Sequence, residues 1–487
     1  MTDATIVQDS KTLDAPAHAD LLEILGRQRE SFNRSEFPDA SLRKDRLNRL
    51  LNMLVENEEK ILDALMSDYG YRSREQSFFV EIVTTAKPIK EAIKHLKSWM
   101  RPEKRRVDLP FMLTGAKAKV RYQPLGVIGC ISPWNFPFNL SFAPLASILA
   151  AGNRAMLKPS EVTPASAALM QELVEVAFDE TEVAVCQGGA SVAQAFSALP
   201  FDHLIYTGGA GVAKHILRAA ADNLTPVTLE LGGKSPTIVS QSANLKRAAD
   251  RIIFGKMLNA GQICLAPDHI FVHQDSLDAL VFELEAAVRR TAPEEHGARD
   301  FVSIVNQRHA DRLTSYIAAA RQSGADIISF DWLSQHQENK ANFVPLTLIV
   351  EPANRPSAIT EEIFGPLLSI RPYSDFSEVI EAINLRDRAL ALYYFGSDKQ
   401  ELGAILNKTH SGGITINDVI MHYTVDDLPF GGVGMSGTGA YHGFDGFKQF
   451  SHARAIYRQT PIDLGAPLRP PYGKAFQRMS RFLLKHG

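Results

Sequence analysis

Three cysteines in 487 residues cannot make a disulfide framework, so the chain is expected in a reducing, cytoplasmic compartment. Long hydrophobic runs are missing too. The longest apolar stretch, residues 140–156, is broken by Pro144, Gly152 and Asn153, which excludes a membrane-spanning helix there. Residues 1–20 have no basic start followed by an apolar segment, so no secretory signal is expected. The 14 histidines are scattered, and neither H-E-x-x-H nor a paired C-x-x-C occurs, so no metal is expected. A net charge of −3 gives nucleic acid no electrostatic claim as a partner.

What is present is a long chain with 45% hydrophobic and 22% charged residues, enough for two or three packed cores. Residues 1–19 read as a loose extension. Helical spacing of Leu42, Leu47, Leu50, Leu51, Met53 and Leu54 follows within residues 20–102. The basic stretch 101–106 reads as a solvated loop, and residues 107–123 read as an extended excursion. From Gly126 onward, short apolar runs at 126–131, 154–158, 183–186 and 204–207 alternate with helical segments. That alternation predicts a parallel, doubly wound α/β sheet, and a second alternation covers about 235–417. After Tyr457 the tail carries Pro461, Pro467, Pro470 and Pro471, then a basic amphipathic stretch. Phe476, Met479, Phe482 and Leu483 would share one helical face there, docked on the body or on a partner subunit. A membrane-surface contact or a lid is the sharper alternative.

Cys264 stands in Asn259-Ala260-Gly261-Gln262-Ile263-Cys264-Leu265, a run with little bulk to cover a thiol. Cys130 and Cys186 lie in apolar runs and read as packing. Glu230, between Leu229 and Leu231 and before Gly232-Gly233, puts a carboxylate in an apolar strand. Such a group is costly unless paired or functional, and it could serve as a general base. Asn135, in Pro133-Trp134-Asn135-Phe136-Pro137, follows a buried strand and so belongs to a carboxyl-end loop, where open α/β sheets bind ligands. Its amide could stabilise an oxyanion together with the Cys264 backbone N–H. Lys158 and Glu161 end another strand and could grip ribose hydroxyls. Tyr206-Thr207-Gly208-Gly209-Ala210-Gly211-Val212 opens a helix whose N-terminus could face a pyrophosphate. Glu361-Glu362-Ile363-Phe364-Gly365-Pro366 would alone pass for a solvated loop, and Pro429-Phe430-Gly431-Gly432 for a tight crossover. A thiol hydrolase or acyltransferase, or a non-catalytic binding protein, also stays open at this level.

Together these segments resemble the NAD(P)-dependent aldehyde dehydrogenase superfamily, over residues 20–457. The motifs around Cys264 and at Gly439-Ala440-Tyr441-His442-Gly443-Phe444 look most like its class 3 and fatty aldehyde branch, near the bacterial coniferyl aldehyde dehydrogenases. The resemblance implies Cys264 as nucleophile, Glu230 as general base and Asn135 as oxyanion donor. It implies that Lys158, Glu161 and Glu362 hold cofactor ribose groups. Gly208 and Val212 would line the phosphate and adenine region, with Ser132, Trp134, Leu231 and Phe364 also beside the cofactor. The expected cofactor is NAD, with NADP as the alternative, and the expected substrate a hydrophobic or aromatic aldehyde, coniferyl aldehyde first and a fatty or medium-chain aldehyde second. The implied fold has a Rossmann-type cofactor domain (20–102 and 125–232) and an α/β catalytic domain (233–417). A small bridging, oligomerising β segment (103–124 and 418–460) and a tail (461–487) complete it, in a homodimer. Ala213 stands where relatives commonly have glycine.

Overall fold

Short β-branched and apolar runs bounded by glycine or proline form the buried strands, and three sheets result. In the computed structural model, residues 15–293, 300–330, 342–353, 355, 357–463 and 465–486 are described. The first sheet is antiparallel and small: β1 (Glu103–Arg105), β2 (Lys117–Pro124) and β16 (Ser451–Arg458), in the order β1-β2-β16. The second holds β3 (Val127–Ile131), β4 (Arg154–Lys158), β5 (Val183–Val185), β6 (His203–Gly208), β7 (Val227–Leu231) and the two-residue β15 (Gly437–Thr438). Its order is β15-β7-β6-β3-β4-β5, parallel except for β15.

The third sheet takes β8 (Pro236–Val239), β9 (His269–His273), β10 (Asp326–Ser329), β11 (Thr347–Val350), β12 (Leu367–Tyr373), β13 (Ala391–Phe395) and β14 (Gly413–Ile416). The order is β10-β11-β12-β9-β8-β13-β14, with only β10 antiparallel to its neighbour. Strands buried on both faces, such as β3 and β4, read as continuous apolar runs because helices cover the sheet. The helix Asn139–Ala151 is buried at every residue, packed against Thr84–Trp99 and Ala40–Glu56.

This topology places the site. The chain leaves β3 to build β4 and β5 on one side, then returns to build β6 and β7 on the other. The carboxyl ends of β3 and β6 therefore flank a switch point, where open α/β sheets bind ligands. Directly after β7, Gly232 and Gly233 carry the chain into β8, so the carboxyl end of the second sheet feeds the amino end of the third. Cys264 precedes β9 and Glu362 precedes β12.

Several expectations need adjusting. A helix starts at Ala15, so residues 15–19 are helical, while residues 1–14 of the expected extension lie outside the described residues. The basic stretch 101–106 contains β1, paired with β2, and its exposed Lys104 and Arg105 suit an edge strand. The excursion at 107–123 contains the short helix Leu109–Leu113 before β2, its turn opened by Asp108 and Pro110. Within 418–460, β16 joins β2 but β15 joins β7. The amphipathic helix is present as Lys474–His486. It leans on the turn Ala466–Leu468, and Leu484 is 88% exposed in the single chain. No described helix is long and apolar enough to cross a membrane.

Candidate active site

Cys264 sits on a loop with an unusual backbone. Asn259, Ala260 and Gly261 have φ of 49°, 53° and 69°, three left-handed residues in succession. Such a conformation is costly for side-chain-bearing residues and persists only where surroundings over-determine it. Gln262, fully buried, supplies much of that constraint. Its Nε2 donates to the carbonyls of Asn259 (3.0 Å) and Ser303 (3.1 Å), and its Oε1 accepts from the Val305 N–H (3.0 Å). A Cβ on Gly261 would lie 2.3 Å from the Gly365 carbonyl oxygen, so only glycine lets the two loops meet.

The thiol is half-buried. Burial pushes its pKa up, and the nearby Glu362 and Glu230 carboxyls push it further. The backbone N–H groups of Cys264 and Leu265 act the other way, stabilising a thiolate. The same amides can meet negative charge on an atom bonded to Sγ. Asn135 is buried beside this loop. Its Nδ2 donates to the Gln262 carbonyl (3.0 Å), which leaves its second N–H for another acceptor. The Tyr69 hydroxyl donates to the Trp134 (3.0 Å) and Asn135 (3.2 Å) carbonyls, and Asn259 Nδ2 donates to the latter (3.1 Å).

Glu230 lies in β7, 3% exposed, and neither carboxylate oxygen has a hydrogen-bond partner among the described residues. Desolvation raises its pKa well above the usual carboxylate value. A buried acid left unpaired is expensive, which is the pattern of functional groups rather than structural ones. Tyr441 is similar: its phenol is buried with no hydrogen-bond partner among the described residues, and it lies within electrostatic reach of Glu230 and Cys264. Tyr423 also lies within electrostatic reach of Cys264, and its hydroxyl donates to Asn139 Oδ1 (2.9 Å). Its ring meets Phe430 edge-on at 4.9 Å, and the His442 ring stacks on Phe430 at 5.0 Å. Burial lowers the His442 pKa to about 3, so this cluster carries no charge at neutral pH.

The nucleotide-facing candidates fall at strand ends as expected. Lys158 ends β4 with its ammonium buried, donating to the Pro159 carbonyl (2.7 Å) and 3.8 Å from Glu161. Burial lowers its pKa. The Glu161 side chain is 51% exposed. Gly208 ends β6, and Gly209 caps the helix Ala210–Asp222 without any side-chain bond to its first amides. A Cβ on Gly209 would meet nothing within 4 Å, so there is open space beside the start of the helix. Val212 is 47% exposed on the first turn, and Ala213 is buried behind it. An uncapped helix N-terminus, a buried lysine with spare donors and an acid beside it fit a dinucleotide.

Glu362 comes next. A Cβ on Gly232 would stand 2.3 Å from its Oε2, so Glu362 lies directly over that glycine. Desolvation first, then Asp268, raise its pKa to about 8, while the Gly233 N–H and Lys234 pull it back. Phe364, at φ 47°, meets Trp134 edge-on at 5.4 Å. Two further candidates are each engaged within the fold through one group. Ser132 Oγ is engaged by Ser141 Oγ (2.6 Å), and Leu231 is buried with its N–H donating to the Ser436 carbonyl (3.0 Å). Tyr69, Gln262, Asp268 and Arg312 were not anticipated. Gln262 had a signal, a large polar residue within a run of small ones, whereas Tyr69 and Arg312 reach the site from distant segments.

The aldehyde dehydrogenase family profile matches residues 15–456. A Caulobacter vibrioides protein named a probable coniferyl aldehyde dehydrogenase is 47% identical over 96% of this chain and 97% of its own. The coniferyl aldehyde dehydrogenase of Pseudomonas sp. strain HR199 is 46% identical over 96% and 98%. Among solved structures, Staphylococcus aureus AldH in a substrate-bound state is 36% identical, with a TM-score of 0.89 over 95% of this chain and 99% of that one. The chain belongs to the aldehyde dehydrogenase family.

Proposed function

We propose that the enzyme oxidises a hydrophobic aromatic aldehyde, coniferyl aldehyde first, to its carboxylic acid, with Cys264 as nucleophile, Glu230 as general base and Asn135 as oxyanion donor. The observation that carries the substrate choice is the uncharged aromatic cluster of Tyr423, Phe430, Tyr441 and His442, whose two tyrosines lie within electrostatic reach of Cys264. Relatives named for coniferyl aldehyde support the same choice.

The chemistry follows from the residues. Cys264 gives up its proton to solvent water, and Sγ bonds to the aldehyde carbon as the carbonyl π pair moves to oxygen, forming a thiohemiacetal. Charge on the oxygen is met by the free Asn135 N–H and the Cys264 amide, each donor worth about 3 kcal/mol. When bound, NAD(P)+ supplies the two-electron oxidant that turns this thiohemiacetal into a thioester. Glu230, unpaired and raised in pKa, then takes a proton from water as the water attacks the thioester, and the acid leaves as the Cys264–carbon bond breaks. Glu362, Lys158 and Glu161 hold ribose hydroxyls, the uncapped amides after Gly209 receive phosphate, and Ser132, Trp134, Leu231, Val212 and Phe364 frame the rest.

Glu161 favours NAD, because a carboxylate there repels a 2′-phosphate. NADP remains the second cofactor. We also propose a cytoplasmic homodimer; a 36% identical rat relative is named a dimeric NADP-preferring aldehyde dehydrogenase. The domain division stays as proposed from sequence, with the second sheet as cofactor domain and the third as catalytic domain.

Measuring kcat/KM over coniferyl, benzaldehyde-type and straight-chain aldehydes with both cofactors tests the assignment. Coniferyl aldehyde with NAD should lead. A straight-chain aldehyde leading the panel would overturn the substrate choice in favour of a fatty or medium-chain enzyme.

A further inference from the structure

Three parts of the chain that carry the chemistry converge on one carboxylate outside the set considered so far. Asp268 follows Cys264 by one turn of loop and is 3% exposed. Its Oδ1 accepts from Lys234 Nζ at 2.5 Å, and its Oδ2 accepts from the Ile363 N–H at 2.8 Å. Its own N–H donates to the Ser235 carbonyl (3.0 Å). Lys234 continues the link by donating to the Glu361 carbonyl (2.9 Å). From the other side, Arg312 donates to the Glu362 (3.1 Å) and Ile363 (2.9 Å) carbonyls. The loop 361–363 has no strand or helix of its own, yet its backbone is gripped by three charged side chains.

We propose that Asp268 is a positioning residue for cofactor binding: with Lys234 it locks the main chain around Glu362 to the loop that carries Cys264. This rests on Glu362 as a ribose holder. A buried ion pair stabilises a fold weakly, since desolvation offsets attraction, but it fixes geometry well when every remaining lone pair has a donor. Both Asp268 oxygens are so used, and the bonds reach main chain on each side of Glu362. Supporting groups of this kind set the geometry of the residues that touch a ligand.

The Cys264–Glu230 half of the site should not depend on this lock. Cys264 can attack an activated ester such as p-nitrophenyl acetate, expelling p-nitrophenolate, and Glu230 can direct water to the resulting acetyl thioester without cofactor. The test compares Asp268→Ala, Asp268→Asn and Glu362→Gln with the wild type in the full-length enzyme. NAD affinity is read by calorimetry, and ester hydrolysis without NAD is read by absorbance.

Asp268→Ala should weaken NAD binding at least tenfold while ester hydrolysis stays within about threefold. Asp268→Asn, which keeps an acceptor for the Ile363 N–H, should weaken it less. If ester hydrolysis falls in step with NAD affinity, Asp268 only holds the fold and the proposal is overturned. Unchanged NAD affinity in both Asp268 variants, with Glu362→Gln weakened, overturns it as well. If Glu362→Gln itself binds NAD normally, the Glu362 reading is what fails. Should Asp268→Ala not fold, the Asp268→Asn arm decides by the same two readouts.

Discussion

Glu230 is buried and Glu362 half-buried beside the active-site thiol, and both have pKa values raised first by desolvation. They are maintained in opposite ways. Glu230 is in β7, with Thr207 of β6 on one side and Gly437 of β15 on the other, so ladder bonds fix its backbone and its carboxyl is left without a partner among the described residues. Glu362 is in an irregular loop, and Asp268, Lys234 and Arg312 hold the main chain around it. A sheet provides position without side-chain help, so an acid placed there can be kept unpaired and ready to exchange protons. A loop needs braces, and it suits an acid whose task is to stay put and accept hydrogen bonds.

The largest expected effect removes the target that both carboxyls serve. Cys264→Ala should reduce NADH production to background while NAD still binds, measured by absorbance and calorimetry; near-normal turnover would end the nucleophile assignment. Next is the proton-exchanging side. Glu230→Gln should slow steady-state turnover by about 10²–10⁴-fold. It should keep a rapid first release of NADH, because acylation precedes hydrolysis. Loss of that first release together with the slow phase would mean Glu230 also deprotonates the thiol, and the two roles could not be separated.

The braced side should respond more mildly and with a different pH signature. Losing a hydrogen bond to a charged acceptor costs about 1.5–3 kcal/mol, so Glu362→Gln should raise the KM for NAD about tenfold or more. Glu362 titrates near 8, and its ionised form is the better acceptor for ribose hydroxyls. Wild-type NAD affinity should therefore strengthen as pH rises through 8, and the Gln variant should lack that rise. Calorimetry from pH 6.5 to 9 reads both. An identical pH profile in the two proteins would place the charge-dependent contact elsewhere.

The sequence carried the strand ends well. Glu230, Asn135 and Lys158 follow or sit in short apolar runs whose direction in a parallel sheet sends their ends to one crevice, and Cys264 reaches it on a loop before β9. It carried the braces poorly. Asp268 and Ile363 are 95 residues apart, and nothing local in either segment announces their bond. The left-handed Asn259 and Ala260 were also hidden, since only Gly261 among the three signals a positive φ by its identity. Ser132 stands at the end of β3 beside the proposed cofactor site, and its hydroxyl turns back to Ser141 on the helix below, a bond that its local sequence does not announce. Local pattern reports where the chain turns, and tertiary contact decides what each side chain does at the turn.

The smallest effect is also the most direct check on the unpaired state of Glu230. Its ordinary value is 4.5, and the folded value lies well above it. Below 4.5 the group is protonated in both states and the fold suffers no loss from it. As pH rises, the unfolded chain ionises while the folded one holds its proton. Stability then falls by about 1.4 kcal/mol per pH unit from this group until its folded pKa is passed. Gln cannot ionise, so Glu230→Gln should gain on the wild type as pH rises above the ordinary carboxylate value. Glu362 contributes the same slope up to about 8, but it does so in both proteins and cancels in the difference. Denaturant unfolding at several pH values measures that difference. A flat difference would mean that the folded protein ionises Glu230 as readily as the unfolded chain does, and the contrast between an unpaired acid in a strand and a braced one in a loop would no longer hold.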